Sequence, residues 1–346
     1  MIPYLLLLNS HVLIILVGRF FGVRNNTLLI TILIITTVLF AGLRGNIGTD
    51  TFAYRDYYVK AGDEAQDVFF EPTFSLLSLL GKTVGLDPQF FIFSIALIQG
   101  FFIYLSVKLI KEKDLYYCLV LSTYYVSLNL NLIRVGLAIY IIGYALLLKE
   151  YGKPWRAKFL ATFATLTHLS TIVAIPFFWK KFHYLLIPFI LFTINNLDLI
   201  RVKVSGYILD GNLTTSDFKI GVGFLVTTTL ILLCLHKEKL IIDRLLIGIF
   251  AASIAFKIAG FGFDIFDRVA IIFEFSFITL LLNRINFNQT RLILFVLIMY
   301  NIYKSVAFIE NSDEAMEVLL LEYPGLNSLY GHTHWIPYEF FWESKP

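Results

Sequence analysis

Charge is scarce in this chain of 346 residues, with Asp, Glu, Lys and Arg together supplying only 15% of it. Cysteine occurs twice, at Cys118 and Cys234, each inside an apolar run. That placement excludes a disulfide-stapled scaffold and a cysteine-rich zinc site, and leaves a buried small side chain as the reading of each. HExxH, DxD and clustered Cys/His patterns are absent as well, so no metal site is expected and no cofactor is called for. The chain has neither a GxxxxGK[ST] loop nor a GxGxxG turn, which argues against nucleotide hydrolysis and dinucleotide binding. A net charge of +3 is too small to suggest a nucleic-acid partner.

What is abundant is apolar surface. Hydrophobic residues make up 58% of the chain, and the mean hydropathy is +0.76. No soluble core requires so much, and the composition is that of a polytopic membrane protein whose partner is the lipid bilayer. Runs of spanning length cover 2–18, 27–43, 89–110, 115–130, 132–149, 182–200, 220–235, 240–262, 268–283 and 292–309. They predict an all-α bundle of about ten transmembrane helices, forming one transmembrane domain over 1–346, with further re-entrant or short membrane helices. The first run precedes Arg19 and Arg24 and lacks a small-residue cleavage pattern, so it reads as a retained helix entering from outside.

The run 157–179 has basic residues on both sides: Lys149, Lys153, Arg156 and Lys158 before it or at its start, Lys180 and Lys181 after it. A full crossing there would turn Lys237, Lys239, Arg244, Arg284 and Arg291 outward. A re-entrant pair turning near His168 keeps all of them on the cytoplasmic side. With that topology the segment 44–70, the connection 201–219 and the acidic, aromatic tail 310–346 lie outside. The stretch 71–86, broken by Gly81, Lys82 and Gly85, reads as an amphipathic or dipping helix over the outer face.

Charges within spans are the mechanistic signal. Arg134, His168, Lys257, Arg268 and Glu274 lie in or at the ends of apolar runs, and a charge at a lipid-exposed helix centre costs about 2.5–3.5 kcal/mol. They are therefore expected to face a polar interior. Arg134, Lys257 and Arg268 fall toward the outer half, level with Arg44, and two or three arginines converging there would clamp a diphosphate with planar forks of donors. Lys257 also reads as the partner of Glu274 on a neighbouring helix, His168 as a hydrogen-bonded core histidine, and Asp267 as the cap of the helix opening at Arg268.

The residues resemble the EpsG-like proteins of bacterial exopolysaccharide synthesis, relatives of the Wzy-type O-antigen and capsule polymerases. The resemblance rests on an R-x-x-x-G-T-D-x-x-x-Y pattern from Arg44 through Asp50 to Tyr54, and on Phe70-Glu71-Pro72 after it. It continues with Leu132-Ile133-Arg134-Val135-Gly136-Leu137-Ala138, Thr167-His168-Leu169-Ser170 and Asp267-Arg268, in the family's order. Where the family usually has Gln after the mid-chain arginine, this chain has Val135.

The resemblance implies a GT-C-like glycan polymerase in the bacterial cytoplasmic membrane. Its substrate would be undecaprenyl-diphosphate-linked oligosaccharide at the outer face, and a chain-length regulator would be a protein partner. Arg44, Arg134 and Arg268 are then assigned to the diphosphate, Asp50 ahead of His168 to the acceptor proton, and Tyr54 and Glu71 to sugar contacts. No metal is needed when arginines hold the leaving group. Two other classes remain open: a flippase or transporter of lipid-linked oligosaccharide, against which the absence of an internal repeat counts, and a membrane acyltransferase with His168 as base.

Overall fold

A computed structural model describes residues 2–44, 51–60, 72–179, 244–259, 264–284 and 293–303. Every regular element among them is helical. In chain order they are α1 (Ile2–Phe20), α2 (Thr27–Gly42), α3 (Thr51–Lys60), α4 (Pro72–Thr83), α5 (Pro88–Leu109) and α6 (Lys113–Leu119). The last of these runs on as a π-helix, Val120–Asn131. Then follow α7 (Ile133–Glu150), α8 (Pro154–Thr167), a 3-10 helix (Leu169–Phe177), α9 (Arg244–Ala259), α10 (Asp264–Arg284) and α11 (Ile293–Tyr303).

Two helix starts are capped by the residue types the physics favours. Asn26 accepts hydrogen bonds from the amides of Leu28 and Leu29 ahead of α2. Asp87 accepts from the Phe90 amide ahead of α5, with Pro88 in the first turn, where its missing N–H costs nothing. Long apolar helices follow because a chain without water must satisfy its own backbone. Of the described helices, α5 alone is long and apolar enough, at 22 residues, to cross a bilayer on those two criteria. The runs expected over 182–200 and 220–235 lie outside the described residues, as do the connection 201–219 and the tail 310–346.

Side-chain contacts give the bundle a polarity. At one end, Arg284 pairs with Glu150 at 2.8 Å, the Glu112 amide donates to the Leu282 carbonyl, and Arg19 pairs with Asp114 at 2.6 Å and Glu112 at 3.2 Å. The end of α1, the starts of α2 and α6, and the ends of α7 and α10 therefore lie together, and Lys113 joins them by donating to the Thr27 hydroxyl. This basic end leaves the opposite end to the last residues of α2, the first of α5, the close of the π-helix and the first turns of α7 and α10.

Close approach is built in at glycines, Gly100 and Gly136 among them. A Cβ on Gly100 would fall 2.2 Å from Val38 Cγ2, so α2 and α5 touch at a distance only glycine permits. A Cβ on Gly136 would fall 2.3 Å from the Leu128 carbonyl oxygen, so the start of α7 folds directly against the π-helix. Across the bundle, Phe275 of α10 presents itself to the rings of Tyr116, Tyr124 and Tyr140 in edge contacts at centroid distances of 5.3–6.3 Å.

The segment 44–70, read from sequence as a loop, contains α3. Tyr54, Tyr57 and Tyr58 recur at helical spacing and put an aromatic stripe on one face, which packs on Phe74 of α4 and Phe91 of α5. The segment 157–179 doubles back. Its first helix, α8, runs about 21 Å from the basic end, the chain turns at His168, and the 3-10 helix returns until Lys149 Nζ reaches the Phe177 carbonyl. Lys158 there stands between the Trp155 and Trp179 rings at 5.6 and 5.7 Å. Both ends of the segment thus sit at one level, the geometry a re-entrant pair requires.

Candidate functional site

The end opposite the basic one collects Arg44, Arg134 and Arg268, far apart in sequence. Arg44 closes α2, Arg134 stands in the first turn of α7, and Arg268 stands in the second turn of α10, whose other end is fixed at the basic side by Arg284. Their surroundings differ. Arg134 and Arg268 are half-buried, while Arg44 is only 1% exposed.

Arg44 was expected at a loop surface gripping a ligand; its Nη1 instead donates to the backbone carbonyl of Asn129 at 2.6 Å. That carbonyl belongs to the last turn of the π-helix, where the next helix begins after a single residue, Leu132. Gln99 of α5 serves the same break. Its Nε2 donates to the carbonyls of Leu128 and Ile133, and its Oε1 accepts from Asn129 Nδ2 at 2.9 Å. Tyr140 donates its hydroxyl to Asn129 Oδ1. A buried network of three side chains, with Arg44 beside it, therefore satisfies backbone groups that the change of helix type would strand.

Arg134 projects from that braced corner into an aromatic slot. Its guanidinium carbon lies 5.4 Å from the Tyr54 ring centroid and 5.6 Å from that of Phe74. Both rings are buried, and Phe74 leans edge-on against Phe91 at 5.4 Å. Tyr54, expected to contact sugar, thus has its ring turned to the arginine. His168 lies at the turn after α8, its amide on the Ala164 carbonyl and its own carbonyl accepting from Thr171. Asp50 and Glu71, the expected proton acceptor and sugar ligand, lie outside the described residues. Glu274 lies near Tyr124 and Tyr300 inside the bundle, close enough for its charge to act on both.

One arginine was missed by sequence reasoning. Arg55 of α3 donates through Nη2 to Gln89 Oε1, and Gln89 Nε2 in turn donates to the Gly42 carbonyl at 2.6 Å. Burial lowers the guanidinium from its ordinary value while the nearby Asp87 carboxylate works the other way, and it stays charged at neutral pH. Its neighbour Tyr54 closes the sequence pattern that drew attention to this stretch; the signal available was a second cation one helical position on. Among the described residues no group of three or more His, Cys, Asp and Glu side chains is placed to hold a metal ion.

The EpsG family model matches residues 27–323, from the start of α2 past the end of α11. The chain belongs to the EpsG family. No curated protein and no solved structure matches it. For this EpsG family protein, membership points to a polymerase-related role in exopolysaccharide synthesis and to a membrane location. The matched span takes in Arg44, Arg55, Arg134, His168 and Arg268 together, so the arginine end belongs to the family's part of the chain.

Proposed function

We propose that this protein is a glycan polymerase that joins undecaprenyl-diphosphate-linked repeat units at the outer face of the bacterial cytoplasmic membrane. The observation that supports the reading is the gathering of Arg44, Arg134 and Arg268 at the end of the bundle opposite its basic end. By the excess of Lys and Arg on cytoplasmic sides, the basic end faces in and the arginine site faces out, where lipid-linked units are used.

The donor carries its own leaving group. The acceptor hydroxyl oxygen forms a bond to the anomeric carbon of the growing chain, the bond from that carbon to the diphosphate oxygen breaks, and the hydroxyl proton passes to a base. The electron pair leaves with the lipid diphosphate. Arg134 and Arg268, half-buried and able to present planar forks, hold that developing charge. Arg44, enclosed beneath them, braces the corner from which Arg134 projects. Asp50 takes the acceptor proton, with His168 as the second candidate, and Glu71 contacts sugar. Tyr54 acts here through Arg134.

Purified protein given only its lipid-linked repeat unit is expected to build a ladder of longer lipid-linked glycans. Because no metal-ligand motif is present in the sequence, chelator is expected to leave the ladder intact. Asp50→Asn slows it, and raising the pH does not restore the rate, since an amide accepts no proton. A protein that carries the lipid-linked unit across vesicles and never lengthens it is a flippase, and overturns the polymerase.

A further inference from the structure

A groove of about 230 Å³ runs between α2 and α5, walled by Ile34, Ile35 and Val38 on one side and Leu97, Gly100 and Phe101 on the other. Ile35, Leu97 and Phe101 are exposed, so it opens sideways, away from the bundle core. Its two ends differ. Toward the arginine end it is closed: the lining stops at Leu39 and Leu97, and beyond them the Phe93 ring lies against Gly42, where a Cβ would fall 2.2 Å from Phe93 Cδ2. Toward the basic end the last lining residues are Thr31 and Tyr104.

Each wall continues past that end to a lysine. On α5 the stripe 97, 101, 104 leads at helical spacing to Lys108, whose Nζ stands 5.4 Å from the centroid of the Tyr104 ring. On α2 the stripe 39, 35, 31 leads to Thr27, whose carbonyl accepts from the Thr31 hydroxyl and whose own hydroxyl accepts from Lys113 Nζ at 2.7 Å. Lys108 is exposed and Lys113 half-buried. The carboxylates nearest them in sequence, Glu112 and Asp114, are buried against Arg19, and neither lysine forms an ion pair among the described residues.

We propose that this groove and its two lysines form the seat of an anionic glycerophospholipid, with one acyl chain along the groove and the phosphate held by Lys108 and Lys113. The charge is complementary, since two ammonium groups without carboxylates stand at the open end of an apolar slot. The length matches as well. Thr31 to Leu39 covers about 12 Å of α2, against about 15 Å for the acyl region of one leaflet, so the slot takes one acyl chain and is closed by the Phe93 ring near the midplane. By the excess of Lys and Arg on cytoplasmic sides, the lipid comes from the inner leaflet. That is the side away from Arg44, Arg134 and Arg268, and the seat does not depend on what those arginines bind.

The purified full chain in detergent is titrated with phosphatidylglycerol and, separately, with phosphatidylcholine of the same acyl chains. The parent is expected to bind phosphatidylglycerol about tenfold more tightly. Lys108→Gln and Lys113→Gln each weaken phosphatidylglycerol about fivefold and phosphatidylcholine by less, and the double variant binds the two lipids alike. Leu97→Trp, which fills the groove from one wall without removing a charge, weakens both lipids about tenfold. Lys153→Gln, at an exposed position of the same end, and Leu13→Trp, at an exposed position of α1, serve as controls and change neither. Equal binding of the two lipids by the parent overturns the seat, as does a phosphatidylglycerol affinity unaltered in the double lysine variant or in Leu97→Trp. Displacement of phosphatidylglycerol by an equimolar amount of undecaprenyl phosphate overturns it too, and gives the groove to an isoprenoid carrier.

Discussion

Lys149 Nζ donates to the carbonyl of Phe177 at 2.5 Å, tying the last turn of α7 to the end of the 3-10 helix that follows α8. The segment between them leaves the basic end and comes back to it.

That closure predicts an accessibility pattern. In a background with Cys118 and Cys234 replaced by alanine, single cysteines at Lys153 and Lys181 are both expected to resist a membrane-impermeant thiol reagent in intact cells, and both to react once the membrane is opened. Strong labelling at position 181 alone in intact cells makes the segment a full crossing and reverses the side assigned to Arg268.

The aromatic slot around Arg134 separates ring from hydroxyl. Tyr54→Phe keeps the face over which the guanidinium lies and is expected to leave elongation near the parent rate. Tyr54→Leu and Phe74→Leu remove a cation–π contact worth about 1 kcal/mol, a several-fold loss of kcat/KM. A Tyr54→Phe protein as impaired as Tyr54→Leu would assign the hydroxyl, and so a sugar contact, to that residue.

Arg268 tests the fork. Arg268→Lys retains the charge but loses planar two-point recognition, so elongation is expected to fall by about tenfold or more while the protein accumulates in the membrane as before. Polymer yield unchanged by this substitution counts against a bidentate grip on diphosphate.

The break between the π-helix and α7 is a matter of stability. Gln99→Leu strands the Leu128 and Ile133 carbonyls and the Asn129 amide, and is expected to cost about 3 kcal/mol. Gly136→Ala drives a methyl group into the Leu128 carbonyl and is expected to destabilise as well. Thermal unfolding in detergent and membrane abundance measure both, and a Gln99→Leu protein with the parent's midpoint shows the network to be dispensable.

Helix placement was legible because an apolar run of spanning length has one way to satisfy its backbone in lipid, and α1, α2, α5, α7 and α10 begin and end within a few residues of the runs that announced them. The doubling back of 157–179 was legible from the basic residues on both its flanks. Helix type was not. In the stretch 120–131 the polar residues Ser122, Thr123, Ser127, Asn129 and Asn131 are spread around the helix rather than along one stripe, so its sequence carries no period that would separate an i→i+4 ladder from i→i+5. Nor was the brace: Gln99 and Asn129 are neutral, and attention to charges in spans passed over amides that the same cost of burial should have flagged. Arg44 stood out as a loop arginine, and only the fold reveals that its guanidinium lies against a carbonyl contributed by a segment 85 positions later.

The ion cluster at the other end has a consequence for synthesis. Arg19 emerges from the ribosome 95 residues ahead of Asp114, its closest counter-ion, an interval of roughly 5–20 s at ordinary rates of translation. During that time α1 carries a cation for which Glu112 and Asp114 have not yet been made, and its side chain reaches toward the headgroups. When α6 arrives, bringing Glu112 and Asp114 together, that cation gains both carboxylates. α1 is held provisionally by lipid and is fastened late, by a segment translated 95 residues after Arg19.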